Sequence, residues 1–273
     1  GITSKGIKYQ VPGTRKSGDP YTSLFNSLLN GLVHYHIFCL SRRITHVQAE
    51  SEICMIVQGD DNVLVHTGDK IAWQEEMLKY GFTSKAVYRT RYEDVEFCSS
   101  RLFPTAAGHT FVPKVGRLLA KNGYYIDPPL SQHPKSVVRG TALGLMPQCS
   151  PIPILTTVLK RQLELTTQHS AYFAPNVEPW KMAYVTTQPS HSTMEALNHV
   201  YGWTYQMQHE WEVYINTLQL GDELAHPYAK LLMDIDTSGK PVIITPLTWS
   251  ELPVRESPKT TNMSRQSAHA LRA

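Results

Sequence analysis

The sequence predicts an α+β chain in which helices and short antiparallel strands alternate at first and helices dominate afterwards. Three observations lead there. The run from Tyr21 to about Leu40 carries Leu24, Phe25, Leu28, Leu29, Leu32, Val33, Ile37 and Phe38, with Gly31 its single Gly and no Pro, which is helical material. Next, Ile53-Cys54-Met55-Ile56-Val57 and Val63-Leu64-Val65 flank Gln58-Gly59-Asp60-Asp61-Asn62, two β-rich runs joined by a turn composition. Beyond about Pro128 the character changes to helical segments separated by Pro-rich links.

Taken in order, Asp19 suits a helix N-cap and Pro20 the first helical position, where a missing N–H costs nothing, so the first helix is expected to start there. Its apolar surface predicts deep packing. After the hairpin, Asp69 to Tyr80 reads as a helix stopped by Gly81. Strand-like pieces follow at Lys85 to Thr90, Val95 to Ser99 and Thr110 to Val112. Helices are expected over Ile154 to Thr166 and after Ser192, where Ser192 and Glu195 have capping-box spacing. The aromatic residues Trp203, Tyr205 and Trp211 read as core of that helical part.

Composition narrows the classes. With 41% hydrophobic and 18% charged residues in 273, the chain can bury a substantial core. A formal net charge of +3 and a pI near 8.6 permit a nucleic-acid partner without requiring one. Cys39, Cys54, Cys98 and Cys149 form no CxxC pair, which argues against a zinc knuckle and a disulfide framework. No apolar run is long enough for a transmembrane segment. The chain opens on Gly1, and Gly1 to Val11 read as the middle of something, so a fragment or processed product is expected.

Two places carry chemistry. Thr22 and Asn26 lie four apart, so on a helix they share a face beside the Ser17-Gly18 turn, and that polar face inside an apolar run wants a polar ligand. Asp60 and Asp61 sit at a hairpin tip, where paired carboxylates suit a hard divalent cation such as Mg²⁺. Histidine offers less: His34 and His36 fall on different helix faces, and His209-Glu210-Trp211-Glu212 lacks a second His at metal-ligand spacing. Lys114, Arg117 and Lys121 recur on a helix turn, as a phosphate-following or merely solvated face.

The stretch Gly13-Thr14-Arg15-Lys16-Ser17-Gly18-Asp19-Pro20-Tyr21-Thr22-Ser23-Leu24-Phe25-Asn26 resembles motif B of positive-strand RNA virus RNA-dependent RNA polymerases, in the form G-x-R-x-S-G-D-x-x-T-x-x-x-N of the tombusvirus-like and noda-like groups. Gly59-Asp60-Asp61 resembles their motif C and stands downstream of motif B, as that family's order requires. Leu78-Lys79-Tyr80-Gly81-Phe82-Thr83 is similar to the end of motif D, and Val95-Glu96-Phe97-Cys98-Ser99-Ser100 to the motif E hairpin. The resemblance covers roughly residues 9–120.

That resemblance implies a right-hand polymerase architecture: a partial palm over 1–104, a mainly α-helical thumb over 105–252, and a polar tail over 253–273 expected to be disordered. It implies template-directed nucleotidyl transfer from NTP to an RNA 3′-end, with template and primer or product RNA and NTPs as partners, other viral replication proteins beside them, and a host-cytoplasmic, membrane-associated setting. Asp60 and Asp61 would hold Mg²⁺, or Mn²⁺ in its place. Ser17, Thr22 and Asn26 would read the ribose 2′-hydroxyl, with Gly18 completing the turn. Lys85 would be the general acid, with Arg89 competing for that role because the register stays open. Arg15, Cys98, Ser99, Lys114 and Arg117 would lie along RNA. The family's further carboxylate on motif A and its basic motif F belong upstream of motif B, and the residues before Gly13 contain no acid. The expectation is weak metal binding and no polymerisation by this chain alone. The alternative is a non-catalytic RNA-binding or assembly module built on the same scaffold.

Overall fold

The computed structural model describes residues 6–10, 21–124, 132–173 and 187–237. Asp19 and Pro20, Arg15, Ser17 and Gly18, and the tail over 253–273 lie outside the described residues.

The long first helix, α1, spans Thr22–Arg42, so it runs two residues beyond the expected Leu40 and ends where Arg43 turns left-handed at φ 55°. After the short α2 (His46–Ala49) come β1 (Ile53–Gln58) and β2 (Asp61–His66), an antiparallel hairpin that packs its β1 strand on α1. α3 (Trp73–Lys79) closes this part. Its core joins Ile37, Phe38 and Cys39 of α1 to Ala49, Ile71, Trp73 and Met77.

Deep packing of α1 is corrected by the structure. Leu24, Phe25, Leu28, Leu29 and Leu32 are 49–65% exposed, and only His34, Ile37, Phe38 and Cys39 are buried. The reason is geometric: the core just described lies against the C-terminal half of the helix, and its apolar N-terminal face projects past it.

The expected helix over Asp69 to Tyr80 is shorter because side chains tie down the backbone before it. Arg42 donates to the carbonyls of Thr67 (2.8 Å) and Asp69, and the Tyr88 hydroxyl accepts from the Ile71 N–H at 2.8 Å. The same hydroxyl accepts from Trp73 Nε1 at 3.1 Å. Tyr88 thereby anchors the segment over Lys85 to Thr90, which forms no strand: it is pinned through one aromatic side chain rather than a backbone ladder. Gly81 does follow the helix with the positive φ of 82° that favours glycine.

A 3₁₀ turn (Tyr92–Asp94) leads into a second sheet, β3 (Glu96–Phe97), β4 (Ser100–Thr105) and β5 (Gly108–Pro113), all antiparallel in that order. The strand expected over Val95 to Ser99 is cut to two residues because Cys98 and Ser99 form the β3–β4 turn, at φ 47° and 62°. The piece at Thr110 to Val112 lies inside β5.

Helices then dominate: α4 (Val115–Leu119), α5 (Pro134–Cys149), α6 (Pro153–Leu165), α7 (His191–Tyr201), α8 (Tyr205–Thr217) and α9 (Pro227–Thr237). α6 opens one residue before the expected Ile154, with Pro153 in the first turn. The capping box of α7 belongs to Ser190 and Thr193, not Ser192 and Glu195: the Thr193 N–H donates to Ser190 Oγ at 3.2 Å while the Ser190 N–H donates to Thr193 Oγ1 at 2.8 Å. Threonine takes the role usually given to Glu or Gln, hence the displaced sequence signal. Trp203 and Trp211 are fully buried in a core that reaches from Phe103 and Val112 to Leu232. Tyr205 is 60% exposed, bonded to His191 at 2.9 Å, and does not join that core.

A buried ionic node ties this second part together. Asp236 Oδ2 accepts from the Gly116 N–H at 2.8 Å and the Tyr201 hydroxyl at 2.9 Å, and Oδ1 faces Arg101 at 3.5 Å. Arg101 also pairs with Glu96 at 2.9 Å. One carboxylate therefore holds β4, α4, α7 and α9. Burial and then the Asp236 charge push the Tyr201 hydroxyl pKa well up, so it stays a donor. Gly116 permits the approach: a Cβ there would meet the Leu232 carbonyl oxygen at 1.9 Å. Among the described residues no helix is long and apolar enough to cross a membrane.

Asp236→Ala is expected to cost about 2–6 kcal/mol, because it leaves the buried Gly116 N–H and Tyr201 hydroxyl unpaired and removes one of the two carboxylates on Arg101. Urea unfolding followed by circular dichroism measures it.

Candidate functional site

The β1–β2 register pairs Gln58 with Asp61, which leaves Gly59 and Asp60 as a two-residue loop. A positive φ of 62° at Gly59 and none at Asp60 is the pattern of a type II′ loop, whose first position demands glycine. Asp60 occupies the loop and Asp61 opens β2, both side chains exposed.

α1 grips this loop. The Gly59 N–H donates to Ser27 Oγ at 2.7 Å, and the Gly59 carbonyl accepts from Asn30 Nδ2 at 3.1 Å. Asn30 Oδ1 accepts from Asn62 Nδ2 at 2.8 Å, immediately after the second carboxylate. His34, one turn further along, lies 2.9 Å from the Asn30 carbonyl through Nδ1 and 3.2 Å from Asn62 Nδ2 through Nε2. Asn62 Nδ2 only donates, so the consistent tautomer carries its hydrogen on Nδ1 and accepts through Nε2. Burial against Trp73, 5.2 Å away ring to ring, lowers the His34 pKa, opposed by the hydrogen bond to Asn30.

Thr22, Asn26 and Asn30 recur every four residues, so Thr22 and Asn26 continue the same helical stripe away from the loop. The expected polar face and the expected carboxylate turn are thus adjacent, joined at Asn30. Sequence reading missed Ser27, Asn30 and Asn62. The available signal was the continuation of the Thr22–Asn26 spacing to Asn30 and His34 within an apolar helix.

The second hairpin arrives at the same place. Cys98 Sγ lies 3.4 Å from Gln58 Oε1. Burial first, then the Asp61 and Asp60 charges, push the Cys98 thiol pKa up, so the thiol stays neutral beside the carboxylates. On the other side of that turn, Ser99 Oγ accepts from Arg117 Nη1 at 3.0 Å and the Ser99 carbonyl accepts from the Lys114 N–H at 3.1 Å. Lys114 Nζ is paired with Glu96 at 2.5 Å, and Lys114 stands at the N-cap of α4 rather than in a helical turn. Lys85 and Arg89 are exposed on the irregular segment before the 3₁₀ turn, and no contact among the described residues joins either to the carboxylates. No group of three or more metal-ligating side chains occurs among the described residues. Two exposed, hard oxygen donors on a fixed loop suit part of a Mg²⁺ shell.

A family model described as viral RNA dependent RNA polymerase matches residues 1–198. The chain is 26% identical over 201 residues to an RNA-directed RNA polymerase of Pariacoto virus, covering 71% of this chain and 20% of that protein. It is 32% identical over 108 residues to a putative RNA-directed RNA polymerase of Barley yellow dwarf virus (isolate PAV), covering 37% of this chain and 11% of that protein. A genome polyprotein of Bovine viral diarrhea virus (strain SD-1) matches at 33% over 116 residues, 38% of this chain and 3% of the polyprotein. The chain therefore spans about a fifth or less of the length of these relatives.

A pH dependence follows from His34. Its folded pKa lies below the ordinary 6.5, so as pH falls the unfolded chain takes up the proton first. The stability owed to neutral His34 is fully present above that value and is lost as pH falls from there through the lowered folded pKa. Urea midpoints between about pH 7.5 and pH 5.5 should fall more steeply in the wild type than in His34→Gln.

Proposed function

We propose, on the premise that this chain belongs to the viral RNA-dependent RNA polymerase family, that it supplies the nucleotide- and metal-facing part of a polymerase that copies an RNA template. The observation that carries this reading is the clamp of the Gly59–Asp60 loop onto the helix bearing Thr22 and Asn26. In this reading residues 1–104 are part of the palm and 105–252 the thumb.

Asp60 and Asp61 would hold Mg²⁺, or Mn²⁺ in its place, through oxygens that face solvent and accept only. When bound, the cation would supply the positive charge that favours an ionised RNA 3′-hydroxyl and a leaving pyrophosphate. The chain's own residues do the rest. Thr22 and Asn26, with Ser17 and Gly18 at the preceding turn, would bond the ribose 2′-hydroxyl, a group deoxynucleotides lack. Lys85 or Arg89 would protonate the pyrophosphate, and lysine suits that better because a guanidinium scarcely releases its proton. Cys98 and Ser99 would face the primer backbone across from the carboxylates. The neutral thiol of Cys98 adds no charge where the carboxylates already repel the strand. Arg15 and Arg117 would meet phosphates, and Lys114 would do so while shared with Glu96.

Primer extension on an RNA template tests this, using the reading frame extended upstream of Gly1 beside the chain itself. The extended polypeptide should incorporate NTPs, and Asp60→Asn should lower incorporation by about two to three orders of magnitude. Metal-independent RNA binding with no extension, unchanged by Asp60→Asn, would instead favour a non-catalytic module. Asn26→Ala should narrow the preference for NTP over dNTP by about tenfold, the worth of one hydrogen bond to the sugar.

A further inference from the structure

We propose that Ser27 and Asn30 are positioning residues that hold the Asp60–Asp61 turn in its metal-receiving orientation, an inference that rests on the polymerase reading above. Both side chains grip the backbone of Gly59. A two-residue hairpin loop ordinarily leaves the outward groups of its first residue to water, and a glycine at that position adds freedom. Here both are taken by one helix: Ser27 Oγ receives the Gly59 N–H at 2.7 Å and Asn30 Nδ2 reaches the Gly59 carbonyl at 3.1 Å. The two contacts fix the two peptides that flank Gly59, and the Asn30 contact lies on the one that leads into Asp60. The other amide atom of Asn30 holds Asn62 at 2.8 Å, so the pair of carboxylates is bracketed on both sides by the same side chain.

Ser27 and Asn30 bond the backbone of Gly59 and the side chain of Asn62. Their effect is orientation. Asp60 and Asp61 are exposed, and neither forms an ion pair with another described residue, so no cation among the described residues sets their direction. The helix that sets it also carries Asn26, one turn before Asn30, a rise of about 6 Å. Sugar reading and metal placement therefore share one rigid body, and loosening the clamp uncouples them.

The test uses two-dimensional NMR on the 273-residue chain, following the Asp60 and Asp61 amides as Mg²⁺ is added, with hydrogen exchange at the Gly59 amide as a metal-free readout. Wild type should respond and Asp60→Asn should not. Ser27→Ala and Asn30→Ala should raise the Mg²⁺ midpoint by about three- to tenfold, the factor one neutral hydrogen bond is worth, with an unchanged circular dichroism spectrum. Ser27→Ala should also speed Gly59 exchange, and Ser27→Thr, which restores the hydroxyl, should recover both values. Wild-type midpoints in both alanine variants overturn the positioning role and leave the polymerase reading standing. An absent wild-type response, or one that Asp60→Asn retains, overturns the metal-site reading and the positioning role with it.

Discussion

The candidate site depends on the backbone hydrogen bonding of one residue, Gly59. Its N–H and its carbonyl are both satisfied by α1, so a loop that would otherwise be a solvated hairpin tip becomes part of a helix surface. Register follows from the same contacts. A strand slipped by one residue would turn Asp61 to the opposite face of the hairpin. Asn62 cannot follow such a slip without leaving Asn30, so the clamp specifies which face each carboxylate takes.

The second part of the fold solves a different problem, that of a charge without water. Asp236 is buried among Arg101, Tyr201 and the Gly116 amide, and every one of those donors belongs to a different element. Arg101 extends the node to Glu96 at the root of the β3–β4 turn, and Glu96 passes it on to Lys114. The turn itself holds two non-glycine residues in the left-handed region, an arrangement costing about 1–2 kcal/mol for each. Strain of this kind persists where surroundings over-determine it. Ion pairs at its base and Arg117 on Ser99 supply that constraint, and the strained turn is the one whose Cys98 meets Gln58 beside the carboxylates.

What the sequence made legible was local. Gly59 needed a positive φ, Thr22 and Asn26 needed a common face, and Trp203 and Trp211 needed a core; each follows from spacing or residue type alone. What stayed illegible required a partner distant in the chain. The apolar face of α1 has helical periodicity, yet periodicity cannot say whether another element covers it, and Leu24 through Leu32 are open. Lys85 to Thr90 has strand composition, but Tyr88 bonds Ile71 and Trp73 and leaves no ladder to join. β4 was hidden by Pro104, which lacks a donor and reads as a strand breaker until the pairing with His109 is seen. Asn30 is an ordinary polar residue on a helix until Gly59, twenty-nine residues on, is placed against it.

Magnitudes explain why uncharged contacts govern a charged site. Two carboxylates facing water repel by no more than about 1 kcal/mol at separations beyond about 4 Å. The two hydrogen bonds on Gly59 and the one on Asn62 contribute about 1 kcal/mol each. Repulsion is thus too weak to displace the loop, while α1 holds enough to keep it in place before any cation arrives. A cation held there, as proposed, would have no loop to order and would meet only the desolvation of two exposed carboxylates. Preorganisation of that kind would place the affinity of the proposed site in the helix as much as in its carboxylates.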